Sequence, residues 1–387
     1  MMTKLAHRIT GTSKKSYGMY EQALRIDTED LIHLELGRPV HDTPALIKDA
    51  AIQALRDGHV HYGDLMGERA LRSALSAKLR DFNAIDASPD EILITNGLTQ
   101  GSFAAFMALV NPGDEVILLD PYYPQHVGKV ELAGGRIVTV PLDAANDFSI
   151  RADWIEDAIT DATRMIVIVN PANPTGRVYS RAELEALAEV AIRHDLIVVS
   201  DEVYEYITFG AQHVSIASLP GMRERTVSLF AFTKAYAMDG WRLGYAVAAP
   251  DIMAGLVKIS TSAVTHVNSF IQFGALAAVT EGSGEMQAMV DDDRRKRDLV
   301  VGRLNQMPNV RCAEPQGTIY AFPDISATRI PAQDLAERLL LEAHVVVEAG
   351  SFYGAAGEGH LRICFGSESE DRISEAMDRL ARFFNSL

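Results

Sequence analysis

Seven short runs between residues 90 and 250 are apolar almost throughout: Glu91–Thr95, Glu115–Asp120, Arg136–Val140, Met165–Asn170, Leu196–Ser200, Thr226–Phe230 and Tyr245–Ala248. Several lack the alternation of apolar and polar positions that marks a strand with one wet face. Continuous Val/Ile/Leu runs of this length indicate strands covered on both sides, as in a mostly parallel sheet. Helical segments lie between them. In Ser180-Arg181-Ala182-Glu183, hydroxyl and carboxylate can each take up an orphan amide, which predicts a helix over Arg181–Arg193. A second helix is predicted over Gln100–Val110, ended by Asn111-Pro112-Gly113. Strand–helix alternation of this kind predicts an α/β domain.

The pattern changes near residue 285. Asp291 to Arg297 reads DDDRRKR, one helix with opposed charges on a solvated face. Beyond it, strands (Val310–Cys312, Thr318–Phe322, Val345–Val347, His360–Cys364) alternate with amphipathic helices (Pro331–Glu342, Glu370–Phe384), which predicts a smaller α+β domain. The first 48 residues show no strand pattern and are expected to pack on that domain. No internal repeat, low-complexity tract or Gly/Ser linker is evident.

Composition narrows the function. The chain has 387 residues, 48% hydrophobic and 23% charged, as in a soluble globular protein of about two domains. Its formal net charge of −16 argues against a nucleic-acid surface, which needs clustered cations. The two cysteines, Cys312 and Cys364, exclude a disulfide scaffold and a four-cysteine zinc site. The N-terminus has no apolar core of a secretory signal, and no uncharged apolar run approaches the roughly 18–20 residues that span a bilayer. The expected location is the cytoplasm, with no membrane partner.

In an open α/β sheet, ligands bind beyond the carboxyl ends of the strands. The residues directly after the predicted strands are Asn96-Gly97-Leu98-Thr99, Asp120-Pro121-Tyr122-Tyr123, Asn170-Pro171-Ala172-Asn173-Pro174-Thr175-Gly176 and Asp201-Glu202-Val203-Tyr204, with Lys234 shortly after a fifth. These offer a helix start able to bind an anion, an aromatic ring, an amide, a carboxylate with a phenol, and an amine. No GxGxxG motif is present, which disfavours a dinucleotide fold. His59 and His61 are spaced like metal ligands but have no evident third partner, so no metal is expected.

Three of these segments carry a resemblance: Asn170-Pro-Ala-Asn173-Pro-Thr-Gly176, Asp201-Glu-Val-Tyr204, and Thr233-Lys234 through Trp241-Arg242-Leu-Gly244-Tyr245. In this order and spacing the chain resembles the class I aminotransferases, fold-type-I enzymes that use pyridoxal 5′-phosphate. The resemblance runs from Leu36-Gly37-Arg38-Pro39 to Arg362. It implies a three-layer sandwich with a mostly parallel central sheet plus a smaller α+β domain. Residues 49–285 would be the large cofactor-binding domain, and 1–48 with 286–387 the small domain and N-terminal arm.

It also implies roles. Lys234 would hold the cofactor as a Schiff base and then act as general acid/base, since burial lowers a lysine pKa. Asp201 would face the pyridine nitrogen and keep it protonated. Tyr204 and Asn173 would hydrogen-bond the ring oxygen. The amides of Gly97, Leu98 and Thr99 would hold the phosphate, with Arg242 adding a charged contact. Tyr123 would stack on the ring, where many relatives have tryptophan or phenylalanine. Ala231 stands where many relatives carry a phosphate-binding serine, a loss that Thr233 or Ser228 need not make good.

Arg362 resembles the arginine that grips the substrate α-carboxylate with a planar fork, joined by Asn173 and the amide of Gly37. Tyr62 resembles a tyrosine that reaches the phosphate of a neighbouring subunit, which implies a homodimer with shared active sites. His266 lies in a stretch that approaches the partner's site in relatives. Tyr17 and Tyr20 are candidates for an apolar substrate pocket.

The function implied is transfer of an amino group between an L-amino acid and a 2-oxo acid. The same motifs also suit a lyase carrying out β- or γ-elimination or replacement. A non-catalytic binding domain on this fold is the third possibility, disfavoured because every cofactor position except 231 is filled.

Overall fold

The computed structural model describes residues 4–13, 18–26 and 30–387. Its centre is a seven-stranded sheet. The strand order is Ile92–Thr95, Gly244–Val247, Thr226–Ala231, Ile197–Asp201, Thr163–Val169, Glu115–Asp120, Arg136–Pro141. Gly244–Val247 runs antiparallel to both neighbours, and all other pairs are parallel. All seven runs expected from the apolar pattern are strands of this sheet, with ends shifted by up to two residues.

The continuous apolar pattern has its cause in two buried faces. Ile117, Leu119, Ile166, Ile168 and Val198 enter one core with the helix Arg181–Arg193. Val116, Leu118, Met165, Val167, Ile197 and Val199 enter another with the helices Gly97–Leu109 and Gln125–Ala133. Successive residues of a strand point to opposite faces, so each of these strands feeds both cores. Asp201 shares the parity of Ile197 and Val199, which places it on the side of the Gly97 and Gln125 helices. A third core joins the antiparallel end to helices Ala45–Arg56, Arg69–Lys78 and Ser269–Glu281.

The helix Ser283–Leu304 carries the DDDRRKR run. Together with Glu370–Ser386 it covers a three-stranded antiparallel sheet of Glu348–Ala349, Leu361–Cys364 and Tyr320–Ala321. Three expectations need correction. Ile32–His33 is a strand, paired parallel with Val345–Val346; two residues are too few to show a period. Val310–Cys312 makes only an isolated bridge, Arg311 to Asp324. The helix expected from Gln100 starts at Gly97, because the chain turns from strand to helix within Asn96–Gly97. Among the described residues, no helix is long and apolar enough to cross a membrane.

Candidate active site

A cavity of about 700 Å³ opens at the carboxyl ends of the parallel strands. Leu98, Thr99, Tyr123, Asn173, Asp201, Tyr204, Lys234, Arg242, Gly37 and Arg362 all line it. Residues spread over more than 300 positions of sequence thus converge on one space.

One end of the cavity is built for an anion. The Gly97–Leu109 helix starts without a side-chain cap from Asn96, so its first amides are left for another partner. Gly97 sits at φ +71, and a Cβ there would lie 2.6 Å from Arg242 Nη2. Only glycine lets the guanidinium come this close to the helix start. Arg242 is anchored by Nη1 donating to Asp239 O at 3.0 Å. A Cβ on Gly244 would meet Leu98 N at 2.8 Å, so that glycine holds strand and helix start together. Helix dipole, orphan amides and guanidinium all favour a phosphate here. Thr233 lines the cavity, whereas Ser228 does not; its Oγ is buried in the sheet without a partner.

The floor holds Asp201, buried at a strand end. His126 Nε2 lies 3.5 Å from Asp201 Oδ2, and Val203 N donates to Oδ1 at 3.2 Å. Burial pushes the His126 pKa down, against the pull of Asp201. Tyr123 packs edge-on to His126 with centroids 5.3 Å apart. One turn past His126, the buried Lys129 donates to Ser102 Oγ at 2.8 Å. Burial lowers its pKa to about 8, opposed by the charge on Asp201. His126 and Lys129 were not singled out from the sequence. Their spacing of three after Tyr123 is the available signal, since a helix starting at Gln125 brings both to one face.

Lys234 reaches the cavity from the turn after Thr226–Ala231. The residue is half-buried because it borders the cavity, but protein surrounds its amine. That desolvation lowers its pKa to about 8. Its Nζ donates to the carbonyl of Gly37 in a short contact, so Gly37 meets the lysine through its oxygen.

Opposite lies Arg362, buried and held from several sides. Nη1 donates to Asn173 Oδ1 at 3.2 Å, and Nη2 to the carbonyl of Glu35. The guanidinium carbon stands 4.3 Å from the Tyr320 ring centroid and 4.9 Å from that of Tyr353. Nε has no hydrogen-bond partner among the described residues. The Tyr204 and Tyr320 hydroxyls are 2.7 Å apart. Burial raises the pKa of Tyr204, keeping its phenol protonated.

Tyr62 is outside this cavity. It is 88% exposed and stacks on His266 with centroids 4.7 Å apart. His59 packs on Phe273 at 4.1 Å. Tyr20 is half-buried and does not line the cavity, and Tyr17 lies outside the described residues.

The pattern of the family described as "Aminotransferase class I and II" matches residues 29–380. The chain belongs to this family. It is an aminotransferase of fold type I, and its expected α/β class and mostly parallel sheet are present. An aspartate aminotransferase of Pyrococcus abyssi is 38% identical over 358 residues, covering 92% of each chain. An arginine–pyruvate transaminase of Pseudomonas aeruginosa is 36% identical over 376 residues, covering 97% of this chain and 95% of its own. Among solved structures, an aromatic aminotransferase of Pyrococcus horikoshii superposes with a TM-score of 0.90 at 38% identity, covering 95% of this aminotransferase and 98% of its own chain.

Proposed function

We propose that this aminotransferase uses pyridoxal 5′-phosphate, with Lys234, Asp201 and Tyr204 as its catalytic residues. Amino-group transfer from an L-amino acid to a 2-oxo acid is the reaction that follows. The observation carrying this reading is convergence: a desolvated amine, a buried carboxylate and an uncapped helix start beside Arg242 share one cavity. The donor set fits the cofactor, since a side chain at Gly97 would run into the Arg242 guanidinium, and Asp201 and Tyr123 line the same cavity.

When bound, the cofactor supplies an electron sink for the carbanion left by proton removal from the amino acid. The chain's residues do the rest. Gly97, Leu98, Thr99 and Arg242 fix the phosphate end. Asp201, flanked by His126 and Lys129, presents a fixed negative charge to the ring nitrogen. Tyr204 and Asn173 offer hydrogen bonds to the ring oxygen; Asn173 can do so through Nδ2, because its Oδ1 already accepts from Arg362. Arg362 and Gly37 orient the substrate α-carboxylate. Lys234 Nζ moves a proton at the substrate Cα, in reach of neutral pH because its pKa is near 8.

The exposed Tyr62–His266 pair supports a homodimer in which each subunit completes its partner's site. Two buried, unlinked cysteines suit the reducing cytoplasm. The two parts proposed are 49–285 as the cofactor-binding unit, and 1–48 with 286–387 as the smaller unit. The relatives' names span aspartate, aromatic residues and arginine, so they leave the donor open.

The test is purification with and without added cofactor, followed by donor turnover with and without a 2-oxo acid. Cofactor absorbance bound to the wild type, lost in Lys234→Ala, with product formation dependent on the oxo acid, is the expected result. Release of ammonia without any acceptor would overturn transamination in favour of elimination.

A further inference from the structure

The cavity carries more negative charge than the proposed cofactor needs. We propose that Glu35 and Glu348 form an acidic subsite selecting amino donors whose side chain ends in a cation, an amine or a guanidinium. This rests on the aminotransferase reading above and names its substrate class.

Both residues are buried and both line the cavity. They flank Arg362. Glu348 is its direct partner in the antiparallel pair Glu348–Ala349 with Leu361–Cys364. Residues directly opposite in such a pair project from the same face of the sheet. Glu35, in the bend after Ile32–His33, holds Arg362 through its backbone carbonyl, leaving its own carboxylate unused in that contact.

Neither carboxylate is neutralised by a lysine or arginine ion pair among the described residues. Glu35 Oε1 meets His33 Nδ1 at 2.9 Å, but its Oε2 is buried with no hydrogen-bond partner among the described residues. Glu348 accepts from backbone amides, Met19 N at 3.2 Å from each oxygen and Ala349 N at 3.3 Å. Burial pushes the Glu348 carboxyl up to about 7, with Arg362 pulling it down and Glu35 adding repulsion.

Among the described residues, the cations lining the cavity already have proposed roles. Arg242 faces the phosphate end. Lys129 stands beside Asp201. Arg362 takes the α-carboxylate, and Lys234 acts on the substrate Cα. What remains is a pair of carboxylates in the same cavity as Arg362, with Glu348 directly across the ladder from it. His33 meets one oxygen of Glu35 and backbone amides meet Glu348, and a buried carboxylate with acceptor capacity left over gains from a further positive group. A donor bearing a distal cation would bring its carboxylate to Arg362 and its charge to Glu35 and Glu348 together.

The experiment compares donors of one carbon skeleton with and without the distal amine. Holoenzyme is assayed with L-ornithine against L-norvaline, and with L-lysine against L-norleucine. The expected kcat/KM ratio favours the cationic member by about thirtyfold or more, the scale of one charge-assisted hydrogen bond. Glu35→Gln and Glu348→Gln should each lower that ratio about tenfold, through KM rather than kcat. If Glu348 served only to fasten the arm at Met19, both donors would fall together and the ratio would hold, which overturns its assignment. A wild-type ratio at or below one, with neutral donors turning over, overturns the acidic subsite alone. Failure of every donor and acceptor overturns the aminotransferase reading beneath it as well.

Discussion

Arg362 Nη1 donates to Asn173 Oδ1 at 3.2 Å across 189 positions of sequence. The bond ties a strand of the smaller sheet to the proline-bounded turn after a central strand. It also divides the labour of the asparagine, whose acceptor serves the arginine and whose donor faces the cavity. Two tyrosine rings then fix the guanidinium plane. Few orientations are left to that side chain, and its buried Nε, without a hydrogen-bond partner among the described residues, fits the proposed grip on a substrate carboxylate.

Arg362→Lys should therefore bind substrate poorly despite keeping its charge. A point cation cannot reproduce the fork or stack between the rings. The expected KM for any amino donor rises about tenfold to a hundredfold, equivalent to roughly 1.5–3 kcal/mol of charged hydrogen bonding. The cofactor absorbance should be unchanged. Steady-state kinetics with alanine as donor, beside a spectrum, checks both halves.

Lys234 gives a pH dependence with a definite sign. Burial lowers its pKa from the ordinary 10.5 to about 8, so protonation is what the folded chain resists. The neutral amine is the nucleophile. Capture of pyridoxal phosphate by cofactor-free protein should speed up as pH rises towards about 8 and level off above it. An exposed lysine would keep gaining up to its ordinary pKa. Stopped-flow absorbance across pH 6 to 10 reads the midpoint directly, and a midpoint above 10 would contradict the desolvated geometry.

Much of this site was legible because the chain writes it at strand ends. Runs such as MIVIV and LIVVS mark covered strands, so the polar residues after them must lie at one edge of the sheet. That logic reached Asn173, Asp201, Lys234 and the Gly97 helix. It could not reach His126 or Lys129, which come from a helix face and matter only once that face is packed over Asp201. Glu348 and Tyr320 escaped for another reason. The strand of Glu348 is two residues long and shows no period, while the strand expected over Thr318–Phe322 contains Tyr320 without saying what its side chain meets. Their roles arise from pairing across the antiparallel sheet, and pairing partners are a property of the fold.

Tyr320→Phe should show how far Tyr204 depends on its neighbour. The two hydroxyls share one proton-donor position at 2.7 Å in a buried setting. Removing one oxygen would leave the Tyr204 phenol with the proposed cofactor's ring oxygen as its partner. A buried hydrogen bond broken on one side costs about 1–3 kcal/mol. Activity should fall by roughly tenfold, and the pH titration of the bound cofactor's absorbance should shift. An unmoved titration with normal turnover would mean that Tyr204 acts independently of Tyr320.

Gly97→Ala isolates the anion cradle from the rest of the machinery. The backbone there is at φ +71, where an L side chain is strained by roughly 1–2 kcal/mol. The added methyl would sit 2.6 Å from Arg242 Nη2, so the guanidinium must retreat from the helix start. Both effects strike the phosphate end and neither touches Lys234 or Arg362. The expected outcome is a folded protein whose cofactor affinity drops tenfold or more, roughly the 1.4 kcal/mol that one decade represents. Turnover should return when cofactor is supplied in excess. Equilibrium dialysis gives the affinity, and kcat at saturating cofactor gives the control. A variant that binds cofactor as tightly as the wild type would show that the phosphate does not rest between this glycine and Arg242.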